Sequence, residues 1–173
     1  MTLRFNQLRI LGLGGLLGGA LLLSACDPQA IKELEEGVAT EADVVQRFGQ
    51  PERVWPESGG AKTLEYNRQP EGLRNYMITI GPDGRMSALR QVLTPDSFRR
   101  VQAGMGVEDV RRMLGKPAKQ VPYQLKNEVV WTWKFLEPPS ETRAFNVVFT
   151  PDYRVIRTEI GPDPDGPDMR GGG

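Results

Sequence analysis

The chain has 173 residues, and its 22 Lys and Arg balance 22 Asp and Glu, so its formal net charge is zero. That balance excludes the strongly basic composition of a nucleic-acid-binding domain, so we expect no nucleic-acid partner. The sequence has no His, which excludes Ser-His and Cys-His nucleophiles and His-based zinc sites, and its single Cys excludes an intramolecular disulfide.

The N-terminus has the composition of a bacterial signal peptide. Arg4 and Arg9 form a short positive segment, and residues 10–23 add 14 uncharged residues rich in Leu and Gly. This run is shorter than the about 20 residues that a membrane-spanning helix needs, but it is typical of the apolar segment of a secretory signal peptide. The residues that follow resemble a bacterial lipobox, namely Leu23, Ser24, Ala25 and Cys26.

The resemblance to a lipobox implies that Cys26 is the lipidation site. A signal peptidase would recognise Leu23, Ser24 and Ala25 and cut after Ala25. The Cys26 thiol would carry a diacylglycerol, and its new amino group an acyl chain. Residues 26–30 would then be a short tether. Because the signal peptide removes two Arg from the 22 Lys and Arg, the mature chain keeps 20 against 22 Asp and Glu, a net charge of −2.

Two membranes are consistent with this anchor. We expect a periplasm-facing position on the outer membrane. Asp27, directly after the cysteine, resembles the inner-membrane retention signal of enteric bacteria, so the inner membrane stays open as the alternative.

The rest of the chain contains an internal repeat, in which residues 34–51 align with residues 101–117. The matched pairs are Gly37 with Gly104, Asp43 with Asp109, Val44 with Val110, Phe48 with Leu114, Gly49 with Gly115 and Pro51 with Pro117. Two later segments also match, Leu64–Tyr66 with Trp131–Trp133 and Tyr76–Ile80 with Phe145–Phe149. The sequence therefore predicts two tandem units at 31–93 and 94–160. Residues 161–173, rich in Gly, Pro and Asp, predict a disordered tail.

Each unit is predicted to begin with two helices. Ile31 and Leu34, like Phe98 and Val101, are apolar residues three apart, and a glycine follows each pair. In the second helix of each unit, the matched apolar residues are four apart and share one helical face. Thr40 with Asp43 is close to a capping box, and Gly106 is the weaker counterpart.

Three strands are predicted to follow in each unit. They are residues 63–68, 75–81 and 85–93 in the first unit, and 128–136, 142–150 and 154–160 in the second. Alternation of apolar and polar residues, as in Val129 to Phe135, indicates that one face of each strand is buried. The predicted fold class is α+β, with the order helix-helix-strand-strand-strand and the helices on one face of an antiparallel sheet.

The segment Val101–Met105, followed by Asp109, Val110, Leu114, Gly115 and Pro117, resembles the SmpA/OmlA (BamE-like) family of outer-membrane lipoproteins. The tandem arrangement also resembles the architecture of the β-lactamase inhibitory protein. The first resemblance implies a periplasm-facing lipoprotein that binds envelope proteins, including the β-barrel assembly machinery. The second implies an inhibitor-like module that binds a periplasmic enzyme.

The sequence offers little for catalysis, and we expect no enzymatic activity, cofactor or metal. Neighbouring acids such as Glu65 and Glu71 are more typical of a solvated face than of an active site. Asp163, Asp165 and Asp168 lack the closing Glu of a calcium loop. Four helix residues are expected to be exposed, Arg99, Arg100, Arg111 and Arg112.

Two aromatic residues are the candidates for partner binding. Trp55 lies in a Pro- and Gly-rich segment that predicts an exposed loop, and Tyr123 lies in a second predicted loop. Aromatic side chains are enriched among the residues that contribute most to binding. Trp131 and Trp133, by contrast, share a face with Val129 and are predicted to be core residues.

Overall fold

The computed structural model describes residue 31 and residues 33–166. The predicted signal peptide, with Leu23, Ser24 and Ala25, lies outside these residues. So do the lipidation site Cys26, the tether and residues 167–173, and their roles stay predictions.

Residues 33–166 form three α-helices, two short 3₁₀ helices and eight strands. The helices are α1 (Glu41–Phe48), α2 (Pro95–Arg99) and α3 (Val107–Leu114). The first unit contains β1 (Arg53–Pro56), β2 (Lys62–Asn67), β3 (Asn75–Ile80) and β4 (Met86–Gln91). The second contains β5 (Lys119–Tyr123), β6 (Glu128–Glu137), β7 (Glu141–Phe149) and β8 (Val155–Pro162).

The strands form two antiparallel sheets, each built from consecutive strands of one unit, in the orders β1-β2-β3-β4 and β5-β6-β7-β8. The predicted α+β class and the six predicted strands are confirmed. Each sheet also has a fourth strand that was not predicted, β1 or β5. Both are short edge strands that contain a proline, Pro56 or Pro122, a residue that weakens the sequence signal of a strand and is tolerated at a sheet edge.

Helix α1 packs on the sheet of the first unit through Val44 and Phe48, both buried as predicted. The Thr40 hydroxyl accepts from the Asp43 backbone N–H at 3.3 Å, and the Asp43 carboxylate accepts from the Thr40 N–H at 2.8 Å. This capping box satisfies backbone donors that the first helical turn leaves unpaired. Gly37 has a φ of 83°, the left-handed conformation that ends the preceding turn.

Helix α3 packs in the same way through Val110 and Leu114, which are fully buried. At its start the Asp109 carboxylate accepts from the Gly106 N–H at 3.0 Å. Trp131 and Trp133 lie in this core, as predicted. The Trp133 Nε1 donates to the Gly115 carbonyl at 3.0 Å, which ties the central strand β6 to the end of α3.

The second unit is stacked against the first. We call the face of each sheet that packs on its own unit's helices the inner face, and the opposite one the outer face. Asn75, on the outer face of the first sheet, donates from Nδ2 to the Leu114 carbonyl at 2.8 Å. Gln69 accepts from the Lys134 N–H at 3.1 Å and donates to the Lys134 carbonyl at 2.8 Å. Helix α3 therefore contacts both sheets.

The C-terminal end of the second unit extends further than predicted. Strand β8 continues to Pro162, and Asp163 after it is buried. The Asp163 Oδ1 accepts from the Asp165 N–H at 3.0 Å, which orders a turn. The predicted disordered tail therefore does not begin at residue 161, because the chain there still pairs with β7.

Candidate protein-binding site

The outer face of the second sheet carries a row of apolar residues across three strands. Val121 of β5 lies opposite Val130 of β6, which lies opposite Val148 of β7. Next to this row, the Thr132 hydroxyl donates to the Asn146 Oδ1 at 2.7 Å. Because residues that lie opposite one another in a ladder share a face, these side chains form one continuous surface.

This surface forms the floor of a groove of ≈ 340 Å³. The β5–β6 connection borders one side through Tyr123 and Lys126, and the end of β8 with the following turn borders the other through Pro162 and Pro164. We refer to this surface as the outer groove. Its floor combines the three valines with Thr132 and Asn146, and its border combines charged side chains with Tyr123, Pro162 and Pro164, a mixture of apolar and polar groups that is common in protein interfaces.

Charged residues on the outer groove are held in a defined arrangement. The Arg157 Nη1 donates to the Glu128 carboxylate at 2.6 Å, and its Nε donates to Glu159 at 2.7 Å. The hydrogen bond from Arg157 lowers the pKa of Glu128 below its usual value. The bonds to Glu128 and Glu159 raise the pKa of Arg157. Glu128 and Arg157 therefore stay charged at neutral pH.

Two further cations border the groove. Lys119 and Lys126 are exposed, and neither forms a direct ion pair with another residue in the part of the chain that the structure describes. Lys126 acts on Glu128 only through its charge, which helps to lower the pKa of that carboxyl. These ammonium groups are thus available to a partner that brings acidic side chains.

Of the two predicted partner-binding residues, the structure places one at this groove. Tyr123 lies at the end of β5 and not in the predicted loop, has 47% of its surface exposed and lines the outer groove. Its binding role stays a prediction.

The prediction that Trp55 lies in an exposed loop is wrong. Trp55 lies in β1, and only 5% of its surface is accessible. Its Nε1 donates to the Glu65 Oε2 at 3.1 Å, and two guanidinium groups lie over its ring, those of Arg53 at 4.1 Å and Arg112 at 4.9 Å. Trp55 is thus part of the contact between the units and is not accessible to another protein.

The centre of that contact is Glu65, which sequence reasoning interpreted as part of a solvated face. It is 0% exposed. Its carboxylate accepts from the Arg111 Nε at 3.3 Å, the Arg111 Nη2 at 3.2 Å and the Lys116 backbone N–H at 3.0 Å, in addition to Trp55. A buried carboxylate needs such partners, because an unpaired charge in the interior is costly.

The prediction for Arg111 is also wrong. This helix arginine was expected to be exposed, but it is partly buried against Glu65 and lies 3.7 Å from Glu52. Arg112 is exposed, as predicted, and pairs with Glu57 at 3.2 Å. The signal that sequence reasoning missed is a difference between the repeats. Arg111 and Arg112 follow Val110, whereas Val45 and Gln46 follow the matched Val44.

Over residues 31 and 33–166, no cluster of three or more His, Cys, Asp or Glu side chains is placed to bind a metal ion. Within the same residues, no helix has the length and apolar character needed to cross a membrane.

The fold is thus a tandem α+β stack in which one sheet keeps an open outer groove. No protein-family model matches the chain, and no curated protein matches it. Because no family model supports the resemblance to the SmpA/OmlA family, that assignment stays a proposal.

The chain is similar to three solved structures, all with low TM-scores. One is a DUF4309 family protein (YjgB) from Bacillus subtilis, with 19% identity, 79% of this chain and 86% of that chain covered, and a TM-score of 0.32. Another is a candidate β-lactamase inhibitor protein from Streptococcus mutans, with 10% identity, coverage of 77% and 93%, and a TM-score of 0.33. The third is an extracellular protein containing a SCP domain from Bacillus anthracis, with 11% identity and a TM-score of 0.30. It covers 84% of this chain, but the match spans 49% of that protein.

Proposed function

We propose that this chain is a lipid-anchored envelope protein without catalytic activity that binds a partner protein through the outer groove of its second unit. The observation that carries the proposal is the open groove itself. The matched face of the first sheet is buried by the second unit, whereas the outer groove stays open at Val121 and Val130, which are half-buried, above the buried Val148 and Thr132. A surface that combines apolar and polar groups in this way is what a protein partner desolvates on binding.

The border of the groove indicates the chemistry of the partner. Lys119 and Lys126 would pair with acidic side chains, while Val121 and Val130 would contact an apolar residue between those acids. Tyr123 would supply an aromatic contact with little loss of conformational freedom. Charge pairs of this kind mainly increase the association rate and the specificity.

The finer role that we propose is in outer-membrane β-barrel protein assembly or envelope integrity. It rests on the resemblance of Gly104, Met105 and the following Asp109–Pro117 segment to the SmpA/OmlA family. The alternative is an inhibitor-like module that binds a periplasmic enzyme through the same groove.

Affinity purification of the full-length chain from its own membranes in mild detergent, followed by mass spectrometry, tests this proposal. The matched variants are Tyr123→Ala, on the groove, and Tyr153→Ala, away from it, because both tyrosines have 47% of their surface exposed. We expect Tyr123→Ala to lower partner recovery about tenfold or more, the range of a binding hot spot, and Tyr153→Ala to retain the partner.

Recovery of β-barrel assembly components would support the assembly role, and recovery of a single periplasmic hydrolase would support the inhibitor role. Equal recovery with both tyrosine variants would contradict the outer groove as the binding surface. If the unmodified chain recovers no envelope protein, the proposed binding function is wrong.

The anchor is tested separately by Cys26→Ala. Without the thiol there is no site for the diacylglycerol, so we expect the protein to leave the membrane fraction almost completely. Fractionation with immunoblotting measures this. Retention of Cys26→Ala in the membrane at the level of the unmodified chain would contradict the lipid anchor and leave the groove proposal untouched.

A further inference from the structure

The free edge of β8 differs from the corresponding edge in the first unit. At its start β8 is covered, because the Gly104 N–H donates to the Val155 carbonyl at 2.8 Å and the Val155 N–H donates to the Met105 carbonyl at 2.9 Å. Beyond Val155, the part of the chain that the structure describes places no hydrogen-bonding group against the backbone of Thr158 or Ile160 on the side away from β7.

In the first unit the chain covers this edge itself. The Leu89 backbone N–H, on the side of β4 away from β3, donates to the Glu36 carboxylate at 2.9 Å. Thr158 is the counterpart of Leu89 in the second unit. Leu89 lies opposite Ile78, Thr158 lies opposite Val147, and Ile78 and Val147 are matched in the repeat. The residue matched to Glu36 is Ala103, which has no carboxylate. The second unit therefore lacks the group that covers the edge of the first.

A pocket of ≈ 340 Å³ lies beside this uncovered edge, on the inner side of the sheet. Phe98 of α2 and Phe145 of β7, stacked with their ring centroids 4.1 Å apart, line it together with Pro95 and Ile160. Ile160 lies opposite Phe145 in the ladder, so their side chains are on one face. A strand added to β8 would direct the residues opposite Thr158 and Ile160 toward the same pocket.

The side chains of β8 do not protect its edge. Ile156 is 40% exposed and Ile160 is 46% exposed, β8 contains no Lys, and its single proline, Pro162, is its last residue, beyond Ile160. Edge strands usually carry such residues, because an open row of backbone donors and acceptors pairs readily with another strand. Between Thr158 and Ile160, Glu159 faces the other side of the sheet, where one of its carboxylate oxygens pairs with Arg157.

We propose that the edge of β8 binds an extended segment of a partner protein as an added strand. The segment carries apolar residues opposite Thr158 and Ile160 and a Lys or Arg between them, beside Glu159. Backbone hydrogen bonds provide the pairing, and the pocket at Phe98 and Phe145 selects the apolar side chain. This surface meets the outer groove at Glu159, but the backbone edge and the pocket at Phe98 and Phe145 lie outside that groove, so it adds a second binding mode to the proposed function.

The probe is a labelled seven-residue peptide with Val-Lys-Val at its centre and Thr or Ser on both sides, titrated into the full-length chain by fluorescence anisotropy. N-methylation of the two Val residues removes the N–H groups that would face β8, whereas N-methylation of the Lys removes one that would face solvent. We expect the first change to weaken binding at least about tenfold, and the second about threefold or less. Equal effects would overturn the proposal.

Two protein variants complete the test. Ile160→Ser alters the pocket, and Ile156→Ser is the matched control on the same strand. We expect Ile160→Ser to weaken binding of the Val-Lys-Val peptide about fivefold to tenfold, and Ile156→Ser to leave it within about twofold. Equal weakening by both variants would overturn the assignment of the pocket.

Hydrogen exchange measures whether the backbone N–H groups at the edge of β8 are covered, and it needs no variant. In the free chain we expect the amides of Arg157 and Glu159 to be protected by β7 and those of Thr158 and Ile160 to exchange rapidly. The peptide should then slow Thr158 and Ile160 about tenfold or more. Protection of both amides in the free chain would show that the edge is already covered and would overturn the proposal.

Discussion

The outer faces of the two sheets are matched in the repeat but lie in opposite environments. On the first sheet, Glu65 is fully buried under α3 and pairs with Arg111. On the second sheet, the matched Thr132 is also buried, but it hydrogen-bonds its neighbour Asn146 within the floor of a groove that is open to solvent. The comparison shows that one architecture can use the same face either to join units or to present a surface.

The units differ at both sides of their contact. Glu65 is matched by Thr132 on the sheet, and Arg111 is matched by Val45 on the helix. A buried carboxylate without its arginine would be strongly unfavourable, and so would the arginine without the carboxylate. The charge pair therefore specifies which sheet face receives which helix.

Among the variants that test this contrast, Glu65→Ala should have the largest effect on the free energy of unfolding. Glu65→Ala leaves the Arg111 guanidinium, the Lys116 N–H and the Trp55 Nε1 without their acceptor. The free energy of unfolding should fall by about 3 kcal/mol, the lower end for a buried pair, because Arg111 keeps some solvent contact. Urea denaturation of the full chain measures this.

The matched control is Thr132→Ala, which removes one side-chain hydrogen bond and should cost about 1 kcal/mol. Similar losses for Glu65→Ala and Thr132→Ala would show that the two outer faces are energetically equivalent, against the contrast drawn here.

A smaller loss is expected at Asn75, whose Nδ2 donates to the carbonyls of Leu114 at 2.8 Å and Lys116 at 3.2 Å. Asn75→Ala leaves these buried acceptors unpaired and should lower the free energy of unfolding by about 2 kcal/mol. Asn146→Ala, on the outer groove, should cost less than about 1 kcal/mol, as measured by the same denaturation. A larger loss at Asn146 would contradict the assignment of structural and surface roles.

The smallest effect concerns the charges of the outer groove. Because the pKa of Glu128 is lowered by its hydrogen bond from Arg157, the pair stabilises the fold above the ordinary carboxyl pKa of 4.5. That contribution is lost as the pH falls below 4.5 through the lowered value. NMR titration should show Glu128 titrating below 4.5 in the native chain and near it in Arg157→Gln. An unchanged titration in Arg157→Gln would mean that the arginine is not the cause.

Local patterns predicted much of the fold. The spacing of Val44 and Phe48, the Thr40–Asp43 cap and the alternation from Val129 to Phe135 each depend on neighbours within a few residues. Such patterns follow from helix and strand periodicity. The two units were visible for the same reason, because the pattern occurs twice.

The contact between the units could not be predicted in this way. Glu65 and Arg111 are 46 residues apart, and each by itself is typical of a surface residue. The sequence around Trp55 predicts a loop because β1 has only four residues and ends in proline, which is too short for a recognisable strand pattern. Trp55 is buried because the two units pack against each other, and the periodicity of a single segment gives no information about such a contact.

The presence of Thr132 in the second unit, at the position matched to Glu65 in the first, also has a consequence for contacts between molecules. A contact between the helix of one unit and the sheet of the preceding one is head-to-tail, and such contacts generate open filaments when every copy offers both surfaces. Arg111 is already paired with Glu65 inside each chain, so a second molecule stacking in the same way would bring helix α1 of its first unit, where Val45 stands at the matched position, to the sheet face that carries Thr132. The charge pair that joins the two units is therefore not available between molecules.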